Sequence, residues 1–406
     1  MVTPMNRRDF LSASAAGLFA PALQVCRPAS PSVDRSKEDR VLVVLELVGG
    51  NDGLNAFVPH GLDEYYRARP TIAIAKKSLL RLDDRYGLHP MLARWERHYR
   101  EGRLAVIGQV GHAEPSRSHF RCRDVLHSAV TEHEHTASGW IGRSIARQLR
   151  ADQESNGQLY FCGDGSTPVA MLGSSTAVIG LAHLDRLLAH RPDPRLATYL
   201  RGADANDDAR SPERRHSLAA ARRAQELATV LNRLSRVQDA PLRYPAHALG
   251  RDLSLASHLI ASASAPRAIY LRYPDFDTHG NQADFQFGLF HILGLAVDAF
   301  VSELAAAGQL ERTCLLIISE FGRRLAQNAS HGTDHGKAGS AFLFGGALHG
   351  GWQGPHLDLS DLEDGDLPPR VDFRDLYGEL IEDWLGIDGG RRDVNAPTGN
   401  SLGLFS

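Results

Sequence analysis

Four apolar runs, each closed by glycine or polar residues, constrain the fold of this 406-residue chain most strongly. Short runs of this kind are typical of strands in a parallel sheet that is covered on both faces. The spacing of apolar residues between the runs predicts helices, among them Pro90–Tyr99 and Phe285–Leu304. Strands that alternate with helices predict an α/β fold with a mainly parallel central sheet flanked by helices. The four runs are Val41–Leu45, which continues through Leu47 and Val48, and Leu104–Gly108, Ala268–Leu271 and Cys314–Ile318.

The segment of about residues 185–265 departs from this alternation. Ser211 and Pro212 form a helix start, because a hydroxyl can cap the first turn and proline is favoured at its first position. Leucines then recur near helical spacing, so we predict a mainly helical insertion. The α/β domain is predicted to span 40–390, with a linker over 23–39 before it. An amphipathic helix over Asp372–Leu385 leads towards a tail over 391–406, which we expect to be a surface loop.

Composition and charge exclude several classes of protein. With 43% hydrophobic and 23% charged residues, the chain is globular rather than disordered or a membrane bundle. The net charge of -3 gives no basis for a nucleic-acid partner or an anionic membrane partner. The four cysteines show no CxxC spacing, which excludes a zinc ribbon, a thioredoxin-type motif and a dense disulfide scaffold.

The N-terminus carries an arginine pair followed by a short apolar segment. Arg7 and Arg8 precede Phe10 and an alanine-rich stretch to Leu23, which is shorter than the roughly 20 residues that a membrane-spanning helix needs. The pattern resembles a twin-arginine signal peptide over residues 1–22, with cleavage after Ala22. We therefore expect the twin-arginine translocase as an export partner, a periplasmic or secreted location, and no transmembrane segment.

Potential metal ligands follow three of the four predicted strands. Ligands of open α/β sheets bind at the carboxyl ends of the strands. Asp277 and His279 stand two residues apart, so an extended backbone points both side chains the same way. Asp52 also fits an ordinary Asn-Asp-Gly turn. Oxygen and imidazole donors together suit zinc, manganese or iron better than magnesium, which predicts a divalent metal site. The candidate ligands are Asp52, Asp277, His279, Glu320, Asp334 and His335.

The segment after the second strand offers a nucleophile. Ser118 opens a predicted helix, where a serine either caps the first turn or acts as a nucleophile activated at the helix N-terminus. Ser116 is the alternative nucleophile. Arginine side chains nearby and after the last strand could hold a phosphate or sulfate, or form ordinary ion pairs. These candidates are Arg117, Arg121 and Arg323.

Seven motifs occur in order along the chain. They are the arginine pair, GGNDGLN at 49–55, RSHF at 117–120, GW at 139–140, DTH at 277–279, SEFGR at 319–323 and GTDHG at 332–336. In this order they resemble the secreted bacterial family known as domain of unknown function 1501, a branch of the alkaline-phosphatase-like superfamily. The resemblance covers nearly the whole mature chain. It implies an alkaline-phosphatase-like fold with one or two metal ions at the strand ends.

The resemblance also implies roles for individual residues. Asp277, His279 and His335 resemble the ligands of one metal site. Asp52 resembles a ligand that follows the first strand, and Glu320 takes the place of a strand-end Asp on a second metal. An alternative alignment gives that second role to the pair at 334–335 and leaves Glu320 behind the ligands. With Glu320 in that place, Phe321 stands where the superfamily commonly has a histidine, so the second metal lacks its nitrogen ligand or is absent. The number of metals therefore stays open.

Two functions from different classes fit these residues. The first is an exported metal-dependent hydrolase of phosphate or sulfate esters, with a small anionic ester as substrate. Ser118 or a water molecule would attack, while Arg117 or Arg323 held the anion. The second is a non-catalytic secreted binding or assembly protein on a degenerate fold of the same type, with an unknown secreted partner.

Overall fold

The computed structural model describes residues 37–113, 115–131, 136–148, 159–161, 167–173, 178–180, 244–262, 265–399 and 401–405. The chain divides into two compact units, and nearly all described residues belong to the unit made of Pro31–Cys162, Thr167–Val178 and Arg243–Ser406. The predicted signal peptide, most of the predicted linker and residues 185–243, 263 and 264 of the predicted insertion lie outside the described residues. The described part of that insertion holds one helix, Ala248–Ala261.

The described strands are Val41–Leu47 (β1), Phe57–Val58 (β2), Leu80–Arg81 (β3), Gly87–Leu88 (β4), Leu104–Gly111 (β5), Leu159–Phe161 (β6), Val178–Gly180 (β7), Ala268–Tyr273 (β8), Thr313–Ile318 (β9), Arg323–Gln327 (β10), Thr333–His335 (β11), Gly339–Gly345 (β12), Gly351–Gln353 (β13) and Val371–Asp372 (β14). The α-helices are Gly53–Ala56 (α1), Asp63–Ala68 (α2), Trp95–Arg100 (α3), His119–Ser128 (α4), Trp140–Gln148 (α5), Ala248–Ala261 (α6), Gln282–Ala306 (α7), Phe373–Glu379 (α8) and Gly390–Asp393 (α9). Four 3₁₀ helices, Lys37–Asp39, Pro90–Leu92, Val169–Met171 and Leu310–Arg312, and a π-helix, Leu380–Trp384, complete the described helical elements.

The central sheet has the strand order β13-β5-β12-β9-β1-β8-β6, and β14 pairs with β5. Strand β1 lies parallel between β8 and β9, and its residues are all buried, which explains the continuous apolar run. The four predicted runs form β1, β5, β8 and β9, so the predicted α/β fold with a mainly parallel sheet is confirmed. The sequence did not predict β12, which lies antiparallel between β5 and β9.

Helices cover the sheet at the predicted places, with differences at their ends. The predicted helix over 90–99 is a 3₁₀ turn followed by α3, and the predicted helix over 372–385 is α8 followed by the π-helix. Among the described residues, α7 alone is long and apolar enough to cross a membrane by length and composition. However, 56% of its most apolar window is buried inside the protein, as expected for a core helix.

The C-terminal tail packs against the domain instead of forming a surface loop throughout. Leu404 is fully buried, and its backbone N–H donates to Oε1 of the buried Glu379 at 2.6 Å. Leu348 and Phe405 form an isolated antiparallel bridge. A buried carboxylate needs donors, and the backbone of the tail supplies them. The composition of the tail gave no sign of this contact, because the acceptor lies in α8.

Candidate metal centre

The candidate site lies where the segments after β1, β8 and β9 meet the start of α4. These three strands are parallel neighbours, so their carboxyl ends share one edge of the sheet. Strand β11 ends at the site with His335. This residue pairs with Arg323, the first residue of β10, which follows β9 closely in the chain. Helix α4 adds His119 as its first residue.

Three imidazoles surround the carboxylate of Asp277. The Nε2 atoms of His279 and His335 lie 3.0 and 3.1 Å from Asp277 Oδ1. The Nε2 atom of His119 lies 3.3 Å from Asp277 Oδ2. One potential ligand atom from each of His119, Asp277 and His335 lies within 4.8 Å of the others, which is a spacing that one metal ion can bridge. The structure thus brings together the predicted ligands Asp277, His279 and His335.

The opposite ring nitrogens contact groups that can only accept hydrogen bonds. His119 Nδ1 lies 2.9 Å from Glu320 Oε1, and His335 Nδ1 lies 2.9 Å from the backbone oxygen of Arg117. An ionised carboxylate and a carbonyl have no proton to donate, so each Nδ1 must carry the hydrogen. In the neutral rings, Nε2 therefore has its lone pair free for a metal.

His279 follows the same pattern less tightly. Its Nδ1 lies 3.4 Å from Oδ1 of Asp334, which also accepts from Asn328 Nδ2 at 3.0 Å. The Asn328 hydrogen bond is the main cause of the lowered pKa of Asp334, and His279 lowers it further. This differs from the prediction of Asp334 as a ligand, because its carboxylate lies on the Nδ1 side of the histidine.

The Nε2 lone pairs of the three histidines have no protein hydrogen-bond donor among the described residues. His119 Nε2 is buried without a hydrogen-bond partner. The Nε2 atoms of His279 and His335 lie only 2.9 Å apart. With both Nδ1 atoms protonated, these two acceptors repel each other unless a cation or proton lies between them. The side chains of Asp277 and His279 are each 45% exposed, so the cluster is open to solvent.

Arg323 holds Asp277 from behind. It donates from Nη2 to Asp277 Oδ1 at 2.6 Å, while Nε and Nη1 donate to the backbone oxygens of Gly50 and Thr333, each at 2.7 Å. Burial opposes ionisation of Asp277, but the hydrogen bond from Arg323 and its positive charge outweigh that effect and lower the pKa of Asp277 to about 2. The Arg323 side chain is fully buried. This corrects the prediction that Arg323 grips a substrate anion, because its donors face the protein.

Glu320 supports the site and does not point free oxygens at the cluster. Its Oε1 accepts from the backbone N–H of Gly49 at 2.9 Å and contacts His119, while Oε2 accepts from Gly50 N at 3.2 Å and Ser319 Oγ at 3.2 Å. Both oxygens are used by protein donors. Of the two alternatives, the structure therefore matches the one that leaves Glu320 behind the ligands.

Asp52 lies in a separate buried ion pair. Its two oxygens accept from Arg69 at 2.6 and 3.0 Å, and Oδ2 also accepts from Gln282 Nε2 at 2.6 Å. The side chains of Asp52 and Arg69 are 1% and 0% exposed. This differs from the prediction of Asp52 as a metal ligand, because a guanidinium group already supplies the cation that its carboxylate needs.

The other predicted anion-binding arginines also have protein partners. Arg117 pairs with the buried Asp366, and Arg121 donates to the backbone oxygen of Thr131 at 3.3 Å. Burial is the main cause of the raised pKa of Asp366, although Arg117 opposes it. Arg117 contributes to the site through its backbone, since its carbonyl anchors His335. The predicted role of its guanidinium in holding an anion is therefore not the contact seen here.

Ser118 stands at the N-cap of α4 beside His119. Its side chain makes no capping hydrogen bond and is exposed, whereas Ser116 Oγ accepts from the Ser118 backbone N–H at 3.2 Å. The capping interpretation of Ser118 thus has no hydrogen bond to support it. The sequence analysis drew attention to this serine and missed His119 as a member of the cluster around Asp277. The available signal was that His119, like Asp277, follows a buried strand.

Comparisons with known proteins place these motifs in a family. A model of the family described as "Protein of unknown function (DUF1501)" matches residues 39–388, and no curated protein matches significantly in sequence. Similar solved structures include the C-terminal periplasmic domain of EcEptC from Escherichia coli (12% identity, 89% of this chain and 88% of that chain, TM-score 0.38). Others are the lipoteichoic acid synthase LtaP from Listeria monocytogenes (7%, 98% and 82%, 0.37) and a protein in the alkaline phosphatase superfamily from Vibrio parahaemolyticus (9%, 86% and 71%, 0.35). Likeness of this degree carries no further inference about function.

Proposed function

The chain belongs to the DUF1501 family, and we propose that this member is a metal-dependent hydrolase of phosphate or sulfate esters. The proposed ligands are His119, Asp277, His279 and His335. The observation that carries the proposal is the convergence of three Nε2 atoms on one carboxylate, with every Nδ1 next to an acceptor. Acceptors on the outer ring nitrogen are the usual support of metal-binding histidines.

The donor set fits a transition metal. Three imidazole nitrogens and one carboxylate suit zinc, and also manganese or iron, better than magnesium or calcium. The unpaired His119 Nε2 and the close approach of His279 to His335 are both explained by a cation among the rings. Within the described residues, the chain supplies ligands for one such ion, because Asp52 and Glu320 are already bound by protein donors.

Ser118 is the proposed nucleophile. When bound, the metal would polarise the ester and offset negative charge that develops on it. Ser118, whose side chain is exposed, immediately precedes His119 at the positive end of the α4 dipole, which favours both an anion and an attacking oxygen. Attack on phosphorus or sulfur would release the alcohol, and water would then release the acid from the serine.

One observation favours the second candidate, a secreted binding or assembly protein. The guanidinium groups of Arg117 and Arg323, which the sequence offered as anion holders, are paired with Asp366 and Asp277. In that case the metal would serve as a clamp on the loops at the strand ends. We also propose that the chain is exported by the twin-arginine translocase to the periplasm or beyond, which the Arg7-Arg8 pattern supports.

Metal analysis and hydrolysis assays on matched variants distinguish the two candidates. We expect protein purified without chelator to hold one zinc, manganese or iron and to cleave aryl phosphate or aryl sulfate esters. His335→Ala should lose metal and activity, Ser118→Ala should lose activity alone, and Ser116→Ala should keep both. Metal-loaded wild-type protein that cleaves neither ester would favour the binding protein. Full activity of Ser118→Ala would assign the attack to Ser116 or to water.

A further inference from the structure

Gln282, the first residue of α7, contacts three polar side chains directly behind the proposed metal ligands. Its Nε2 donates to Asp52 Oδ2 at 2.6 Å. Its Oε1 accepts from Thr278 Oγ1 at 3.1 Å and from Thr333 Oγ1 at 2.6 Å. Gln282 and Thr333 are fully buried, and Thr278 is 4% exposed. The amide therefore lies in a closed polar network in which each of its two ends has a partner.

The two threonines belong to the segments that carry the ligands. Thr278 lies between Asp277 and His279, and Thr333 lies two residues before His335 in β11. The segments also meet directly, since the Thr333 backbone N–H donates to Thr278 O at 3.3 Å. One carboxamide oxygen thus joins the chain around Asp277 to the strand that ends at His335.

We propose that Gln282 is a positioning residue of the metal centre, which sets the spacing between these two ligand-bearing segments. The proposal rests on the proposed metal site. A carboxamide suits the task because one end donates and the other accepts. Asp52 fixes the orientation of the amide, because its carboxylate, held by Arg69, must face Nε2 and not Oε1. The oxygen is therefore always presented to the two threonine hydroxyls.

Gln286 provides a matched control. It lies one turn later on α7, is also a glutamine and is 1% exposed. Its Oε1 accepts from Asn55 Nδ2 at 3.2 Å. Asn55 belongs to α1 and carries no proposed ligand. Methionine at either position keeps the approximate length of the side chain and removes the amide. The two variants differ in how directly the lost amide contacts the ligand-bearing segments, because Gln286 reaches Asp52 only through Asn55 and Arg69.

The test measures zinc affinity of the full chain by competition with a chromophoric chelator. We expect Gln282→Met to weaken zinc binding by about 10-fold or more, which is the usual effect of removing support behind metal ligands. Gln286→Met should stay within about two-fold of wild type. The cobalt-substituted protein should show an altered visible absorption spectrum for Gln282→Met alone, because that spectrum reports the geometry of the ligands.

A second set of variants tests whether the effect passes through the threonines. The double variant Thr278→Val/Thr333→Val should weaken zinc binding, and should add little in the Gln282→Met background, because the same hydrogen bonds are already lost. It also replaces Gln282→Met if that variant does not fold. Wild-type zinc affinity and an unchanged cobalt spectrum in Gln282→Met, or in the double threonine variant, would overturn the positioning role alone. A wild-type protein that binds no zinc, manganese or iron would overturn the metal site and this role together.

Discussion

Replacing Asp52 by asparagine tests whether this residue is a metal ligand or one half of a structural ion pair. A ligand has the metal as its main partner, so its loss leaves the metal-free protein nearly unchanged. Asp52 instead has Arg69 as its partner, with both side chains out of contact with solvent. The variant keeps one oxygen that can accept a hydrogen bond, but it removes the charge that balances the guanidinium.

The expected magnitude follows from what remains around Arg69. Breaking a buried ion pair by removing one partner costs about 3–5 kcal/mol of unfolding free energy. Arg69 keeps Asn55 Oδ1 and the backbone oxygens of Leu325 and Arg324 as acceptors, so we expect the lower end, about 3 kcal/mol. That loss is a large share of the about 5–15 kcal/mol that stabilises a typical domain.

Urea unfolding in EDTA, followed by circular dichroism, measures this loss without a contribution from bound metal. Asp334→Asn is the control, because this other predicted ligand has an exposed carboxylate beside His279 and its replacement should change stability by no more than about 0.5 kcal/mol. A metal-free Asp52→Asn protein that is as stable as wild type, yet binds zinc more weakly, would refute the ion-pair role and restore Asp52 as a ligand.

Two further predictions concern the carboxylate of Glu320 and the export of the protein. Glu320→Gln should lower zinc affinity by about 10–100-fold although all four proposed ligands remain, because it replaces the carboxylate that accepts from His119 Nδ1 with a weaker acceptor. Competition with a chelator measures this affinity, and a wild-type value would contradict the prediction. Lysine at both Arg7 and Arg8 should leave the precursor in the cytoplasm, as cell fractionation and blotting would show, and normal export of that variant would mean that another pathway carries the protein.

The strands could be predicted wherever burial on both faces leaves a continuous apolar run. Strand β1 has seven buried residues in succession, and β9 has six. Strand β12 has a similar apolar segment, but its place between β5 and β9 and its antiparallel direction depend on contacts distant in sequence. The local pattern of apolar residues does not show whether a strand runs parallel or antiparallel to its neighbours.

The site could be predicted where ligands follow strands, and not where a long-range partner decides the role. Asp277 could be placed because it follows β8 at the carboxyl-end edge of the sheet, and His335 reaches it from the separate two-stranded β10–β11 sheet. Asp52 has the same sequence setting, but Arg69, 17 residues further along, binds it in a segment that carries no motif. Arg323 resembles a free arginine in sequence, and only folding surrounds it with backbone oxygens.

Glu46 allows a prediction for acid stability that is independent of the metal. This carboxylate lies inside β1, is fully buried and accepts from Arg123 Nε at 2.7 Å, His127 Nε2 at 3.0 Å and Tyr270 Oη at 3.0 Å. Burial alone would raise its pKa, but His127 and Arg123 outweigh that effect and lower the pKa from 4.5 to about 2. The ionised form is thus stabilised by folding.

The sign of the effect follows from the lowered pKa. The contribution of Glu46 is complete above the unfolded pKa of 4.5 and is lost as the pH falls towards about 2. A shift of this size corresponds to about 3 kcal/mol. The difference in unfolding free energy between wild type and Glu46→Gln should therefore shrink by about 3 kcal/mol from pH 5 to pH 2 in urea titrations of metal-free protein. Asp84→Asn, which changes an exposed carboxylate, should follow the wild-type pH dependence. A Glu46→Gln difference that stays constant over this range would show that Glu46 does not gain its charge stabilisation from folding.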